Sequence, residues 1–429
     1  MQNSHRPPSF TSRLLRAVIV GAAVALFTAC GGGDDGQAAR NTPPLSGVDL
    51  QVVAFGTSLS DAGTYATVVG ELFGGGRFTT NPGQVWAQNV SEYFGHTLTP
   101  AFIGGFGLQL VARDGLDYAQ GGAQVSLSGD SAGLVPQMPV TWQIQQYLKR
   151  YRGFNDQQLV LVEGGANEIL NFAQDPSFAA FGAAVAQNQA AFADQARQLI
   201  AAGRFPDTVE GQNQAWATVL ANFMTTGAAD YPMAGEIIAA AQTLAQQVIT
   251  QIVANGATHV AVVNVPDIGQ TPAGWAANQS SPGAGALLTA ITSAYNITLQ
   301  GELQSAVAAQ QVVPIDTFAW LDQQIANYQS QGFAVSNTAM ACKLAQIVAN
   351  VTAYASANPS VLAGTSLTAQ QFGQQAGSAL FCSPQTLVAP DAGVTYMFAD
   401  SVHPTTALHT AFAQFVEQQL AAAGIGNAP

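Results

Sequence analysis

The sequence predicts an α/β protein with a parallel sheet whose two faces are covered by helices. Five short apolar runs have the length and composition of buried strands. They lie at residues 48–55, 108–119, 158–165, 259–265 and 311–318. Helical patterns separate most of them, and this alternation along a chain is the arrangement that builds parallel sheets. With 429 residues, 48% of them hydrophobic, the chain is long enough to bury a large core.

Two helices have clear sequence signals. Apolar residues recur at helical spacing from Ile237 to Ile252, and Asn255 and Gly256 then provide a C-cap. A final helix is predicted to open at Pro404, because proline lacks the N–H that the first helical turn does not need. Both helices follow the strand–helix alternation of the rest of the chain.

We predict one domain at 47–427, interrupted by two irregular regions. The segment at about 172–234 is rich in Ala and Gln and is interpreted as a helical insertion. The segment 327–390 is irregular and contains two of the three cysteines. No internal repeat is visible.

The N-terminus is typical of an export signal. Basic residues precede an apolar run at 17–27, which is too short to remain as a membrane-spanning helix. Small residues before Cys30 resemble a bacterial lipoprotein signal, in which the lipidated cysteine becomes the new N-terminus. Cleavage without lipid is the alternative, because Phe27 stands where such signals usually carry leucine. We expect removal of 1–29 and a flexible tether at 30–46. The product would be a lipoprotein at the outer membrane or cell surface, or a secreted or periplasmic protein.

Composition limits the possible partners. Only 9% of the residues are charged and the net charge is −13, which argues against nucleic-acid binding. No His, Cys and carboxylate spacing in the sequence resembles a zinc site, so we predict no metal and no cofactor. Once Cys30 is set aside, an exported chain is expected to pair Cys342 with Cys382 in a disulfide; two buried free thiols are the alternative.

Polar motifs follow the predicted strands. In an open parallel sheet the carboxyl ends of the strands meet at one edge, where ligands bind. The motifs that we expect there are GTSLSD (56–61), DYAQGGA (117–123), GGANE (164–168) and NVPDIGQTP (264–272), with FADSVHPT (398–405) before the last helix.

These motifs together contain the groups that acyl transfer needs. The hydroxyl of Ser58 becomes a nucleophile only when an adjacent base removes its proton. Asp400 and His403 are three residues apart, so one short turn presents the carboxylate to Nδ1 and leaves Nε2 for the serine. The backbone N–H groups of Ser58 and Gly121 and the side-chain amide of Asn167 offer three donors for an oxyanion.

The four blocks FGTSLSDAG, DYAQGGA, GGANE and DSVHPT, in this order, resemble the SGNH or GDSL hydrolase family of serine esterases and lipases. The resemblance extends from about 48 to 424 and implies a three-layer α/β/α sandwich around a five-stranded parallel sheet of flavodoxin-like order. It implies Ser58 as nucleophile, His403 as base oriented by Asp400, and an oxyanion hole of Ser58, Gly121 and Asn167. The chain departs from the family pattern at Thr57 and Glu168, where aspartate is usual. We expect those two changes to adjust the rate or the loop geometry without abolishing catalysis.

Simpler interpretations exist for each residue. Ser58 with Asp61 also fits a helix N-cap, and the glycines and Asn167 could serve only a turn. Asp267 and Asp316 lie near strand ends and compete with Asp400 as the partner of His403. Only the combination of the four blocks favours the catalytic interpretation.

The sequence therefore predicts an exported serine hydrolase that cleaves carboxylic esters, with acyl or aromatic esters, including lipids, as substrates. It would contact a membrane through Cys30 if that residue is lipidated. An acyltransferase, a thioesterase or a carbohydrate deacetylase would use the same residues. A surface-binding lipoprotein without catalysis is the alternative from another class. The sequence does not indicate an oligomeric state.

Overall fold

The structure, a computed structural model, describes residues 44–106, 108–126, 138–227, 229–363 and 367–428. The segment 1–29, Cys30 and most of the tether at 30–46 lie outside the described residues, which belong to one compact unit.

The described residues form six strands and fourteen α-helices. The strands are β1 (Gln51–Phe55), β2 (Phe102–Gly105), β3 (Leu108–Ala112), β4 (Gln158–Glu163), β5 (His259–Val263) and β6 (Val313–Ile315). The helices are α1 (Ala66–Phe73), α2 (Trp86–Tyr93), α3 (Val140–Tyr151), α4 (Ala166–Gln174), α5 (Ser177–Ala201), α6 (Val209–Thr226), α7 (Pro232–Gln247), α8 (Pro272–Ser280), α9 (Ala284–Ala308), α10 (Thr317–Ala326), α11 (Leu344–Ala357), α12 (Ala369–Gln375), α13 (Ala392–Thr395) and α14 (Thr406–Ala422).

The main sheet has four parallel strands in the order β1-β4-β5-β6. The inner strand β4 is buried along its whole length, which explains its apolar run from Leu159 to Val162. Alternate residues face opposite sides: Val160 and Val162 pack with α3 to α7 and α9, and Leu159 and Leu161 pack with α2, α10 and α14. The predicted α/β class is confirmed, as are the strands expected at 48–55, 158–165, 259–265 and 311–318.

The prediction of one strand over 108–119 is wrong. β3 covers only its first part and pairs antiparallel with β2 in a separate two-stranded sheet. β3 ends at Ala112, before Asp114 and Gly115. Leu108 and Val111 are half exposed, so β3 does not belong to a sheet that helices cover on both faces. The remainder, 116–120, lies beside β1, where it forms an isolated parallel bridge and exchanges hydrogen bonds of 2.8 to 3.2 Å with the β1 edge.

Two helix boundaries have clear physical causes. Gly256 ends the helical run that begins with α7, in the left-handed conformation that glycine adopts most easily (φ 99°). Helix α14 begins at Thr406, with Thr405 as its N-cap, so the prediction that it opens at Pro404 is wrong. The Thr405 hydroxyl accepts from the N–H of Leu408, and threonine satisfies a free helical donor in a way that proline cannot.

The region at 172–234 contains α5 and α6, which pack on each other, and α6 also packs on α9. The adjoining helical stretch Pro232–Asn255 is long and apolar enough to cross a membrane. Its residues Ile237 and Leu244 are fully buried in the core beside the sheet, as expected for a core helix of a folded domain.

The second irregular region is closed by the disulfide Cys342–Cys382, which confirms the predicted pairing. Helices α11 and α12 lie within this loop, and they pack with Tyr65, Val69 and Phe106 in a third apolar cluster. The disulfide loop therefore covers the side of the molecule on which α1 and the β2–β3 hairpin lie.

Candidate active site

Ser58 lies in a tight turn directly after β1. It is 8% exposed, and its turn is closed by a hydrogen bond from the N–H of Ser60 to the carbonyl of Thr57. The first helix begins only at Ala66, so Ser58 does not cap a helix. The backbone N–H of Ser58 has no acceptor among the described residues.

Two buried side chains form hydrogen bonds with the turn that carries Ser58. Gln143 on α3 accepts from the N–H of Gly56 and donates to its carbonyl, both at 2.8 Å. The carboxylate of Glu163, at the end of β4, accepts from the N–H and the hydroxyl of Thr57 and from the hydroxyl of Ser60. Thr57, which departs from the family pattern, is therefore bonded to a carboxylate from the neighbouring strand.

His403 and Asp400 lie in the short loop before α14. The ring of His403 is 2.8 Å from Ser58 Oγ through Nε2 and 2.7 Å from Asp400 Oδ2 through Nδ1. The ring of Phe78 lies against the imidazole, with 5.0 Å between the ring centroids. The structure thus brings together the three residues that the sequence places in one triad.

Asp400 is 2% exposed and is held by four hydrogen bonds. Oδ1 accepts from the N–H groups of Val402 and His403, and Oδ2 accepts from His403 Nδ1 and the N–H of Ala379. Burial alone would raise the pKa of Asp400, but attraction to His403 and these hydrogen bonds outweigh it and hold the pKa below its ordinary value. The carboxylate is therefore ionised beside the imidazole.

The competing carboxylates have other partners. Asp267 accepts from the N–H of Gly269 and the hydroxyl of Thr289. Asp316 accepts from the N–H of Ala319 and caps α10. Neither of them is bonded to His403, so the local pair with Asp400 is the one that forms.

Asn167 lies at the start of α4 and is half buried. Its Nδ2 donates to the carbonyl of Ala123 at 2.7 Å, which fixes the amide and leaves its second N–H without an acceptor among the described residues.

The two glycines of the second block differ in their bonding. The N–H of Gly121 donates to Asp61 Oδ2 at 3.0 Å, so it is already engaged. The N–H of Gly122, a residue in the left-handed region at φ 79°, has no acceptor among the described residues. Both glycines line the cavity. The geometry therefore favours Gly122 over Gly121 as an oxyanion donor. Periodicity could not have separated the two, because they are adjacent and alike.

A cavity of about 470 Å³ opens beside Ser58 and His403. Exposed polar side chains of Asn171, Gln174 and Gln375 line its rim. Buried apolar side chains line its interior: Trp86, Phe398, Leu408 and Phe412. This volume is typical of small-molecule sites, and the lining suits a ligand with an apolar part.

Buried carboxyl groups lie close to the triad. Burial raises the pKa of Glu163 and of Glu168 to about 7, and it raises that of Asp117 well above its ordinary value. Glu168 Oε1 accepts from the N–H of Val125 at 2.6 Å, and its Oε2 has no partner among the described residues. Glu168, the second departure from the family pattern, thus holds the loop that leads away from the glycine block.

Sequence reasoning missed Glu163, Gln143 and Ala379. A signal for Glu163 existed, because a carboxylate at the end of an apolar run of a buried strand needs a polar partner inside the protein. Gln143 and the backbone of Ala379 left no such signal, since their contacts join distant parts of the chain. Within the described residues, no group of three or more His, Cys, Asp or Glu side chains is arranged to hold a metal ion.

The chain matches no model of a known protein family, and no curated protein matches it.

Proposed function

We propose that this protein is a serine hydrolase that cleaves carboxylic esters through an acyl-enzyme on Ser58. The observation that carries the proposal is the pair of hydrogen bonds that joins Ser58 Oγ, the His403 ring and the buried Asp400 carboxylate, at 2.8 and 2.7 Å. A carboxylate on Nδ1 keeps the ring in the tautomer whose Nε2 can accept the serine proton.

The reaction proceeds in two halves. Ser58 Oγ attacks the ester carbonyl carbon while its proton passes to His403 Nε2. The tetrahedral intermediate collapses, the bond to the alcohol oxygen breaks, and the alcohol leaves with the proton from Nε2. Water then gives a proton to His403 Nε2 and attacks the acyl carbon. The bond between that carbon and Ser58 Oγ breaks, Oγ takes the proton from Nε2, and the acid is released. Asp400 stays ionised throughout and stabilises the imidazolium.

The oxyanion is stabilised by three donors: the N–H of Ser58, the N–H of Gly122 and the second amide N–H of Asn167. Each of these N–H groups lacks an acceptor among the described residues and belongs to a residue that lines the cavity. Donors that are fixed before the reaction stabilise the developing charge without reorganisation.

The substrate is an ester with an apolar acyl or aromatic part. Support comes from the apolar interior of the cavity beside Ser58, whose buried walls include Trp86 and Phe412. Burial of such a group is favourable by roughly 0.8 kcal/mol per CH₂.

We also propose membership of the SGNH or GDSL family, in which the sheet has five strands in flavodoxin-like order. The support is that the four sequence blocks contribute the residues around Ser58. In this proposal the segment 116–120, which forms an isolated bridge with β1, would be the fifth strand and would give the order 116–120, β1, β4, β5 and β6.

Export is part of the proposal. The disulfide Cys342–Cys382 supports it, because disulfides persist in oxidising compartments. Mass spectrometry of the mature N-terminus distinguishes a lipidated Cys30 from cleavage without lipid.

Two measurements test the proposed hydrolase. Fluorophosphonate labelling followed by peptide mapping identifies the reactive residue, and hydrolysis of p-nitrophenyl esters over a range of acyl-chain lengths measures the activity of the unlabelled protein. We expect the label on Ser58 and loss of both labelling and hydrolysis in Ser58→Ala. Ser305→Ala, which removes an exposed serine on α9, is the matched control and should behave as wild type. Full activity in Ser58→Ala would overturn the proposal.

A further inference from the structure

We infer that Glu163 is the positioning residue of the nucleophile: its carboxylate holds the turn that carries Ser58. The inference rests on the proposed function, since it assigns the group that orients the nucleophile of that reaction. Glu163 touches neither Ser58 Oγ nor His403, and acts on the serine through Thr57 and Ser60.

The contacts of Glu163 enclose Ser58 on both sides along the chain. Oε1 accepts from the N–H of Thr57 and from the hydroxyl of Ser60 at 3.1 Å. Oε2 accepts from the hydroxyl of Thr57 at 3.0 Å. One rigidly placed carboxylate therefore fixes the residue before Ser58 and the second residue after it.

Gly56 shows how closely this carboxylate approaches the turn. A Cβ atom at Gly56 would lie 2.2 Å from Glu163 Oε1, so any side chain there would displace the carboxylate. The glycine at the end of β1 therefore serves the approach of Glu163, and not only the flexibility of the turn.

Glu163 also holds the backbone beside a free N–H group. The N–H of Thr57 donates to the carboxylate, and the next N–H along the turn, that of Ser58, has no acceptor among the described residues. That free N–H is one of the proposed oxyanion donors. The same carboxylate thus contributes to the position of Oγ and to that of the donor.

The burial of Glu163 argues for such a role. The residue is 5% exposed, and no basic side chain forms an ion pair with it among the described residues. A carboxylate without an ionic partner is unfavourable in a protein interior unless hydrogen bonds compensate, and all of its hydrogen bonds go to the turn of Ser58.

The first experiment compares Glu163→Ala with Glu163→Gln and with the control Glu417→Ala. Glu417 is an equally buried carboxyl group on α14, and its pKa is likewise raised to about 7 by burial. The readouts are kcat, KM and the rate constant for fluorophosphonate labelling of Ser58, each measured on folded protein.

We expect Glu163→Ala to lower kcat and the labelling rate by about 100-fold with KM within about twofold, because a small displacement of a reacting group has that effect. Glu163→Gln keeps an acceptor for the N–H of Thr57 and should retain activity within about tenfold of wild type. Glu417→Ala should leave both rates unchanged.

The second experiment moves the carboxylate from Glu163 to position 57, on the other side of their hydrogen bond. It does not require Glu163→Ala to fold. Thr57→Asp places a second carboxyl group about 3 Å from Glu163, and two such groups cannot both ionise. We expect a loss of at least tenfold in kcat for Thr57→Asp and substantial recovery in Thr57→Asp combined with Glu163→Gln.

Each outcome decides the inference. Labelling of wild type at Ser58 with unchanged rates in Glu163→Ala would overturn it and leave the hydrolase proposal intact. If Glu163→Ala does not fold, the second experiment decides. The inference is overturned if Thr57→Asp keeps wild-type activity, or if adding Glu163→Gln to Thr57→Asp restores none of the lost activity. Absence of labelling at Ser58 in wild type would instead reject the hydrolase itself.

Discussion

The backbone N–H of Ala379 donates to Asp400 Oδ2 at 2.6 Å, the same oxygen that accepts from His403 Nδ1. Ala379 lies three residues before Cys382, inside the loop that the disulfide with Cys342 closes. The covalent link in the irregular region is therefore connected, through a short stretch of backbone, to the carboxylate of the proposed triad.

We predict that removal of this disulfide lowers both stability and activity. The variant Cys342→Ala combined with Cys382→Ala should lose about 3–5 kcal/mol of unfolding free energy, because the unfolded chain is no longer constrained. It should also lose kcat at temperatures where it remains folded, since Ala379 is held less firmly against Asp400. Denaturant unfolding and kinetics measure the two effects.

A reducing agent provides the control for this prediction. Reductant should lower the activity of wild type towards that of the double variant and should leave the variant unchanged. A variant of reduced stability with wild-type kcat would show that the contact at Ala379 does not depend on the disulfide.

The identity of the triad carboxylate gives a second prediction. Asp400→Asn should lower kcat by about 10³- to 10⁴-fold, as expected when the partner of Nδ1 favours the wrong tautomer. Asp267→Asn is the matched comparison, because Asp267 is equally buried at a strand end but bonds to Gly269 and Thr289. A greater loss for Asp267→Asn than for Asp400→Asn would contradict the assignment.

The proposed oxyanion hole gives a third prediction. Asn167→Ala removes one fixed donor and should lower kcat by about 10²- to 10³-fold with little change in KM. Asn222→Ala, an exposed position on α6, should behave as wild type. A rise in KM with unchanged kcat would mean that Asn167 binds the ester equally in the ground state and the transition state, and it would contradict the assignment as an oxyanion donor.

Stability should decrease from mildly acidic to neutral pH. Burial raises the pKa of five carboxyl groups to about 6 or 7, namely Glu163, Glu168, Asp267, Asp322 and Glu417. Because each pKa is higher in the folded protein, the stabilisation is complete below the unfolded values near 4 and is lost as the pH rises through the folded values.

Two groups act in the opposite direction. The pKa of Asp400 is lowered, so its contribution is lost only as the pH falls below about 4. Burial lowers the pKa of His409 to about 3, so its contribution is lost as the pH falls below 6.5. Since five carboxyl groups outweigh the one histidine between pH 4.5 and 6.5, we expect the midpoint of thermal unfolding to decrease as the pH rises through this range. Glu417→Gln should reduce the decrease towards pH 8, and a midpoint that rises over this range would refute the expectation.

Much of the scaffold follows from local sequence. β1, β4 and β5 are buried on both faces, so their apolar runs identify them without knowledge of their neighbours. The prediction of one strand over 108–119 was wrong because an apolar run indicates a strand but does not indicate which sheet the strand joins. The β2–β3 hairpin and the isolated bridge of 116–120 depend on pairing with other segments.

By itself, the sequence determined the strands of the main sheet and the geometry within Asp400–His403, because burial patterns and a spacing of three residues act locally. It also indicated the disulfide pair, because only two cysteines remain once Cys30 is set aside. Tertiary structure decided the rest of the site. Only in the folded chain does Asp61 accept the N–H of Gly121 and not that of Gly122, and Glu163 reaches Thr57 across 106 residues of chain. Hydrogen-bond satisfaction depends on atoms that folding brings together, and periodicity along the chain carries no record of those partners.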